Sequence, residues 1–212
     1  MKAMAIMVGI DVGGVRKGFH AVALESHNAL AMYRSTDADE VSNWIRELGP
    51  EIVAIDAPCR WSVDGRARLA ERQLMAKGIW CFSSPTCEDA QCHPTNYFGW
   101  MRNGANLFEA IHAEFKLYEG SELIMGQKYC FETFPHAIAC AIRGEVLKAK
   151  NKRVDRLAIL ERAGMDTLQL KNIDWIDAAL CAYAAQFFSM GDFDTYGDVA
   201  EGFIVTPKWR VI

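Results

Sequence analysis

The apolar positions at the start of the chain follow the pattern of β-strands. Apolar runs separated by short polar connections predict three strands, at Ile6–Ile10, Lys17–Leu24 and Ala29–Arg34. The connecting sequences GGVRK and ESHN are only a few residues long. Such short connections favour an antiparallel meander of three neighbouring strands.

The pattern then changes to a helical period. Apolar residues at positions 41, 44, 45 and 48 are spaced i, i+3, i+4 and i+7, which predicts a helix. Ser35 or Thr36 is the expected N-cap, and Gly49-Pro50 is the expected stop. The β-branched segment Glu51–Ala57 predicts a fourth strand, which should lie parallel to its partner because it follows a crossover helix.

Residues 58–127 differ in character and are interpreted as a long insertion. They contain two helical patterns, Arg66–Lys77 and Asn106–Tyr118, on either side of an irregular stretch rich in Cys and Ser. After the insertion, the alternating aromatic segment Lys128–Phe134 predicts a fifth strand, which Pro135 ends. Three more helices are predicted, near Ala137–Leu147, Val154–Ala163 and Ile173–Phe188.

This order predicts an α/β protein with a mixed five-stranded sheet flanked by helices. The insertion, about residues 58–127, then separates the fourth strand from the fifth. We expect a single domain over residues 1–212, because this length suits one sizeable core better than two very small ones. Hydrophobic residues form 51% of the chain, as in ordinary globular proteins.

Composition also bears on location and partners. The seven cysteines show no paired CxxC spacing, and Met1–Ile10 has no signal-peptide pattern, so we expect reduced thiols and a cytoplasmic protein. No apolar run approaches the roughly 18 residues of a membrane span, so no membrane attachment is expected. The net charge of −4 argues against a protein that coats nucleic acid by bulk electrostatics, but it allows a local basic groove.

Four acidic residues interrupt apolar patterns. Asp11 and Asp56 close the first and fourth strands, Glu132 lies within the fifth, and Asp177 begins an apolar face of the last helix. A buried carboxylate needs a partner, and carboxylates that converge repel one another, which a divalent cation offsets. Mg²⁺ and Mn²⁺ suit carboxylate and water ligands, and such sites support phosphoryl displacement. The four positions therefore suggest a metal site.

Each acid also has a structural interpretation. Asp11 and Asp56 could simply start turns, since Asp side chains hydrogen-bond nearby backbone amides. Asp174 is a suitable N-cap for the last helix, which would place Asp177 at N3 of a near capping box. For Asp174 alone the cap is the favoured interpretation. Glu132 could pair with an arginine of the insertion instead of a metal.

A set of motifs, in this order along the chain, resembles domain-of-unknown-function family 429, a family of predicted nucleases with an RNase H-like fold. The motifs are GIDVGG, VAIDAP, FETFPHA, DWIDAALCAYAA and EGFIVTP, and the resemblance extends from about Val8 to Pro207. It implies a β-β-β-α-β-α core, which agrees with the predicted order. In that superfamily, acids on the first strand, the fourth strand and the last helix bind the metals. By position these are Asp11, Asp56 and Asp177.

The resemblance extends to two further acids and to the cofactor. Asp174 lies one helical turn before Asp177, as in the acidic pair of Holliday-junction resolvases, and is added to the expected metal ligands. Glu132 matches the family motif FETFPHA but no standard ribonuclease H ligand, and it is counted as a catalytic candidate beside Asp11, Asp56 and Asp177. The implied cofactor is Mg²⁺ or Mn²⁺.

Cationic residues suited to phosphate binding occur in two groups. The first is the segment KAKNKRVDR, residues 148–156, in which Lys152 and Arg156 match family positions and are the predicted substrate contacts. The second follows Asp56 and consists of Arg60, Arg66, Arg68 and Arg72. A solvated, purely structural surface is the alternative interpretation of both groups.

The insertion holds two other sets of interest. One is a group of possible zinc ligands, whose spacings lie outside the common zinc patterns, so buried thiols are favoured; they are Cys81, Cys87, Cys92 and His93. The other is a group of aromatic residues that could stack on bases of single-stranded nucleic acid. Packing within the insertion is the favoured interpretation of this group; its members are Trp61, Trp80, Tyr97, Phe98 and Trp100.

The sequence therefore predicts a metal-dependent nuclease that acts on DNA or RNA. An ATP-dependent phosphotransferase of the sugar-kinase or actin-like class is the second hypothesis, because those proteins share the core and also carry D-x-G-G on the first strand. The length of one lobe and the Ala-Pro that follows Asp56 count against it. A nucleic-acid-binding protein without catalysis is the third hypothesis.

Overall fold

The computed structural model describes residues 5–210, in which one mixed sheet is flanked by helices. The beginning of the Met1–Ile10 segment, considered above for a signal peptide, lies outside the described residues. The strands are β1 (Ile6–Val12), β2 (Phe19–Glu25), β3 (Asn28–Ser35), β4 (Ile52–Asp56), β5 (Lys116–Leu117), β6 (Tyr129–Glu132), β7 (Phe193–Asp198) and β8 (Gly202–Pro207). The helices are α1 (Ala38–Leu48), α2 (Leu69–Ala76), α3 (Cys87–Cys92), α4 (Gly99–Ile111), α5 (Pro135–Arg143), α6 (Lys152–Arg162) and α7 (Ile173–Ser189).

The sheet has the strand order β3-β2-β1-β4-β6-β8-β7, and the short β5 pairs with β6. Strands β1, β2 and β3 form the predicted antiparallel meander. Strand β4 lies parallel to β1, and β6 lies parallel to β4, as the crossover connections require. This arrangement confirms the predicted RNase H-like α/β fold.

The sheet contains three strands more than the five that were predicted. Strand β5 is two residues long, and the hairpin of β7 and β8 follows the last predicted helix. The sequence of β7, FDTYGD, mixes polar residues and a glycine into the strand, so it lacks an apolar alternation. Among the described residues, no helix is both long and apolar enough to span a membrane.

Several helix boundaries differ from the prediction for local reasons. Helix α1 is capped by Asp37, and not by Ser35 or Thr36, since the Asp37 side chain accepts a hydrogen bond from the Asp39 amide at 2.8 Å. Gly49 ends α1 in the left-handed conformation, as expected. Helix α4 begins at Gly99, well before the predicted start at Asn106, and ends at Ile111 before the chain enters β5.

Helix α7 packs directly on the backbone of β1 at Gly9. A Cβ atom at this position would lie 2.0 Å from the Ala182 amide nitrogen and 2.2 Å from the Ala178 carbonyl oxygen. The opposite face of the sheet is covered by α1 and α4, whose apolar side chains pack around Ile10 and Ile55. Because side chains alternate along a strand, Gly9 and Asp11 point to the same face, toward α7.

We expect Gly9→Ala to reduce the free energy of unfolding by about 2–3 kcal/mol or more, because the added methyl group overlaps the α7 backbone. Gly14→Ala is the matched control, because a Cβ there meets nothing within 4 Å. Its stability should stay within about 0.5 kcal/mol of the wild type. Urea unfolding followed by circular dichroism measures both. Equal stabilities of the two variants would show that α7 does not rest on β1 in this way.

Candidate metal centre

The carboxyl ends of β1 and β4 bring Asp11 and Asp56 together. The two residues are direct partners in the parallel pairing of these strands. Neighbouring strands lie about 4.8 Å apart, and paired residues point to the same face, so both carboxylates face α7. The first two turns of α7 contribute Asp174 and Asp177 to the same cavity. The structure thus brings together the four predicted metal ligands.

Two cations are ion-paired with this carboxylate cluster. The Lys17 ammonium, from the β1–β2 connection, lies 2.9 Å from Asp11 Oδ2 and 2.8 Å from Asp174 Oδ1. Arg156, on α6, donates from Nη1 to Asp177 Oδ1, and both side chains are buried. None of the ion pairs among the described residues reaches Asp56.

The cap of α7 differs from the interpretation favoured for Asp174. Asn172 is the N-cap, and its side chain accepts a hydrogen bond from the Trp175 amide at 3.0 Å. Asp174 is therefore free of a capping role and bonds with Lys17. Asp177 lies beyond N3, so the capping-box interpretation is also wrong. Both acids project from the helix end nearest to Asp11, where they meet the strand carboxylates.

Burial raises the pKa values of Asp11, Asp56 and Asp177, and repulsion from neighbouring carboxylates adds to this effect at Asp11 and Asp56. Burial is the largest effect on Asp11 and raises its pKa to about 6, although the Lys17 ammonium acts in the opposite direction. Burial, followed by the charges of Asp11 and Asp177, raises the pKa of Asp56 well above its ordinary value. Burial also raises the pKa of Asp177 despite its pairing with Arg156. Four acids lie beside two cations, so ionisation of all four would leave an excess of negative charge, which a bound divalent cation would offset.

Sequence reasoning missed two residues of this centre, Lys17 and His20. His20 pairs directly with Asp11 in the antiparallel β1–β2 ladder and is 3% exposed. Among residues 5–210, the group of three potential ligands whose donor atoms all lie within 4.8 Å is Asp11, His20 and Asp174. The first predicted strand stopped at Ile10, before the Asp11–His20 pair. Extending the first predicted strand by two residues, to Val12, would have placed Asp11 opposite His20 in the hairpin.

Glu132 does not join the carboxylate cluster. It is in register with Ile55, so its side chain points to the sheet face opposite Asp56. There it accepts two hydrogen bonds from the Arg68 guanidinium, at 2.9 and 2.5 Å, and one from the Cys59 amide at 2.8 Å. Arg68 is 1% exposed and also donates from Nε to Glu71 at 2.9 Å. The structure thus realises the alternative interpretation of Glu132 as the partner of an insertion arginine.

A cavity of about 550 Å³ extends from the carboxylates to the insertion. Lys152 and Arg156 line this cavity. Of the second arginine group, Arg68 also lines the cavity, together with Glu132, with which it forms a buried ion pair. Arg60 instead pairs with Glu119, and Arg66 and Arg72 are exposed. Aromatic residues of the insertion form part of the wall; they are Phe82, Tyr97 and Trp100. Phe82 was not predicted, whereas the predicted Trp61, Trp80 and Phe98 do not line the cavity.

The sheet has the RNase H-like strand arrangement, and it pairs Asp11 with Asp56 at the ends of β1 and β4. The chain belongs to the family described as "Protein of unknown function (DUF429)", whose model matches residues 9–201. This match confirms the family that the sequence motifs suggested. Among solved structures, one titled "Thermus thermophilus RuvC structure" is similar to 88% of this chain and 96% of its own, with 14% identity and a TM-score of 0.45. Comparison with curated proteins finds no match.

We expect Glu132→Gln to reduce the free energy of unfolding by about 3–5 kcal/mol, because it removes one charge from a buried pair. Glu119→Gln, in the partly exposed pair with Arg60, is the control and should cost about 1 kcal/mol or less. Denaturant unfolding measures both variants. A Glu132→Gln protein as stable as the control would show that the carboxylate does not anchor the insertion.

The raised pKa of Asp11 predicts that this residue makes stability fall as pH rises. The folded state binds more protons at Asp11 than the unfolded state between its ordinary value of 3.8 and about 6. The cost is absent below this window and complete above it, at about 3 kcal/mol. Asp11→Asn cannot titrate, so its stability relative to the wild type should increase between pH 4 and pH 7, in metal-free buffer. A difference that is independent of pH would contradict the assignment.

Proposed function

We propose that this protein is a metal-dependent nuclease that hydrolyses phosphodiester bonds of DNA or RNA. Asp11, Asp56 and Asp177 would hold one or two Mg²⁺ or Mn²⁺ ions, with Asp174 as a further ligand. The observation that carries the proposal is the pairing of Asp11 with Asp56 at adjacent strand ends, beneath two acids of α7. Rigid elements supply all four carboxylates, as a site of defined geometry requires.

The residues fit a divalent cation in charge and in donor chemistry. Two cations are ion-paired with three of the four carboxylates, and Asp56 has no ion pair among the described residues. Within the same part of the chain, the buried Asp11 Oδ2 accepts no hydrogen bond of good geometry. Carboxylate oxygens are the donors that Mg²⁺ and Mn²⁺ prefer. When bound, such a cation activates water and stabilises the negative charge that develops at phosphorus.

The cations of α6 are suited to the phosphate of the substrate. Lys152 begins the helix and Arg156 follows one turn later, so both side chains share the face toward the cavity. Arg156 is held by Asp177, and its buried Nε has no hydrogen-bond partner within residues 5–210. We propose that the charge of the Arg156 guanidinium attracts a phosphate of the substrate into the cavity, while Lys152 supplies a second positive charge at the entrance.

The opposite wall of the cavity is suited to nucleobases. Phe82 and Tyr97 are 64% and 55% exposed, and Trp100 lies behind Phe82 with its ring centroid 6.1 Å away. Exposed aromatic rings beside a charged groove bind unpaired bases by stacking. Glu132, buried on Arg68, would act as a positioning residue that holds the insertion, rather than as a ligand of the metal.

The proposal predicts that the protein cleaves a nucleic acid in the presence of Mn²⁺ or Mg²⁺. Asp11→Asn and Asp177→Asn should each reduce the rate of this cleavage by about 100-fold or more. The purified protein is incubated with single-stranded DNA, duplex DNA and RNA, and the products are resolved by gel electrophoresis. Asp39→Asn, which changes an exposed aspartate of α1, is the matched control and should cleave as the wild type does.

Cleavage that persists in both site variants would identify a contaminating nuclease and remove the proposal. Absence of cleavage of every substrate in both metals would favour a binding protein without catalysis. If Mg²⁺-ATP instead raises the melting temperature and is hydrolysed, the phosphotransferase hypothesis replaces the nuclease.

A further inference from the structure

His20 lies in the metal centre without a role in the proposed nuclease site. It faces Asp11 across the β1–β2 ladder, and paired residues of antiparallel strands point to the same side of a sheet. Its ring makes a T-shaped contact with the ring of Trp175, with the two ring centroids 4.7 Å apart. This packing holds the imidazole beneath the first turn of α7, beside Asp174.

The His20 imidazole is nearly sealed from solvent and incompletely bonded. Its exposure is 3%, and Nδ1 has no hydrogen-bond partner among the described residues. Buried polar atoms nearly always have a hydrogen-bond partner, because an atom without one loses its hydrogen bonds to water and gains none in the protein. An imidazole nitrogen of His20 and carboxylate oxygens of Asp11 and Asp174 all lie within 4.8 Å of one another.

The space between Asp11 and Asp174 already accommodates a positive charge. The Lys17 ammonium contacts both carboxylates, at 2.9 and 2.8 Å. Its side chain is 39% exposed and belongs to the connection between β1 and β2, so it reaches the site from the solvent side. A lysine in this position can withdraw when a cation of higher charge takes its place.

We propose that Asp11, His20 and Asp174 form a divalent-metal site that selects Mn²⁺, or a similar transition-metal ion, over Mg²⁺. Imidazole nitrogen suits transition-metal ions, whereas Mg²⁺ prefers oxygen ligands and dehydrates reluctantly. Two ligands of one ion at bond lengths of about 2.1 Å lie at most about 4.2 Å apart. Donor atoms that already lie within 4.8 Å of one another therefore reach this geometry through small rotations of their side chains. The inference rests on the proposed function in that a divalent cation occupies the cluster, but it does not depend on hydrolysis.

Asp11 would then belong to two ligand groups. Asp56 lies beside it on β4, and His20 lies beside it on β2. The strand pairing therefore gives Asp11 a nitrogen-containing group on one side and an all-carboxylate group on the other. Loss of His20 should impair the first group alone, whereas loss of Asp11 should impair both.

The test is direct detection of nitrogen coordination to bound Mn²⁺. Electron spin echo envelope modulation of the wild-type protein with one equivalent of Mn²⁺ should show ¹⁴N coupling from an imidazole. His20→Gln should lose this coupling and bind Mn²⁺ at least about 10-fold more weakly by calorimetry, with Mg²⁺ affinity changed less than about 3-fold. His136→Gln is the matched control, because His136 is half-buried near Arg156 but lies outside the ligand group.

A second variant tests the place of Lys17. Lys17→Met keeps an unbranched side chain of similar size but removes the competing charge, so it should bind Mn²⁺ about 10-fold more tightly than the wild type. Unchanged or weaker binding would show that the metal does not take the position of the Lys17 ammonium, and would overturn the proposed site.

The outcomes separate this inference from the proposed function. Bound Mn²⁺ without ¹⁴N coupling in the wild type overturns the role of His20 and leaves the nuclease proposal intact. This negative result needs no variant, so the inference can be overturned even if His20→Gln does not fold. Bound Mn²⁺ with ¹⁴N coupling but without cleavage of any nucleic acid retains the metal site and removes the nuclease proposal. Absence of Mn²⁺ binding overturns both.

Discussion

The contact between α7 and the backbone of Gly9 determines where the acids of this protein meet. Because position 9 has no side chain, the Ala178 carbonyl and the Ala182 amide approach to distances that a methyl group could not allow. Asp11 lies two residues further along the same strand face, at the level of the first turns of α7. Asp174 and Asp177 therefore reach the strand carboxylates as a consequence of backbone packing in the core.

The same contact concentrates negative charge where little water can reach it. Lys17 and Arg156 come from separate elements, and each offsets one edge of the cluster, leaving Asp56 between them without an ion pair among the described residues. A core built only for stability would have replaced such acids with apolar side chains, since incompletely paired buried charges are costly. The cost is concentrated at one point and surrounded by well-packed apolar residues, which is typical of a functional site.

The strand-end acids could be predicted from the sequence, because Asp11 and Asp56 each terminate an apolar run and parallel strands align their ends. His20 could not be found in the same way, since its relation to Asp11 depends on the hairpin register, which is set by the pairing of Val12 with Phe19. For Glu132, the alternation within its own strand shows which residues share a face. It does not show which face of the sheet that is, because this depends on the register with the neighbouring strand. The pairing of Glu132 with Ile55 places its side chain on the opposite face of the sheet, where it forms an ion pair with Arg68 of the insertion.

The buried pair of Arg68 and Glu132 joins the insertion to the core of the protein. Arg68 links Glu132 of β6 to Glu71 of α2, while Ser84 donates to Glu71 at 2.6 Å. The segment that carries Phe82 is thereby fixed opposite the carboxylates. The sheet and α7 would thus provide the chemistry, and the insertion would provide the surface that selects the substrate. Changes in the exposed aromatic residues could then alter substrate preference without disturbing the packing that holds the metal ligands.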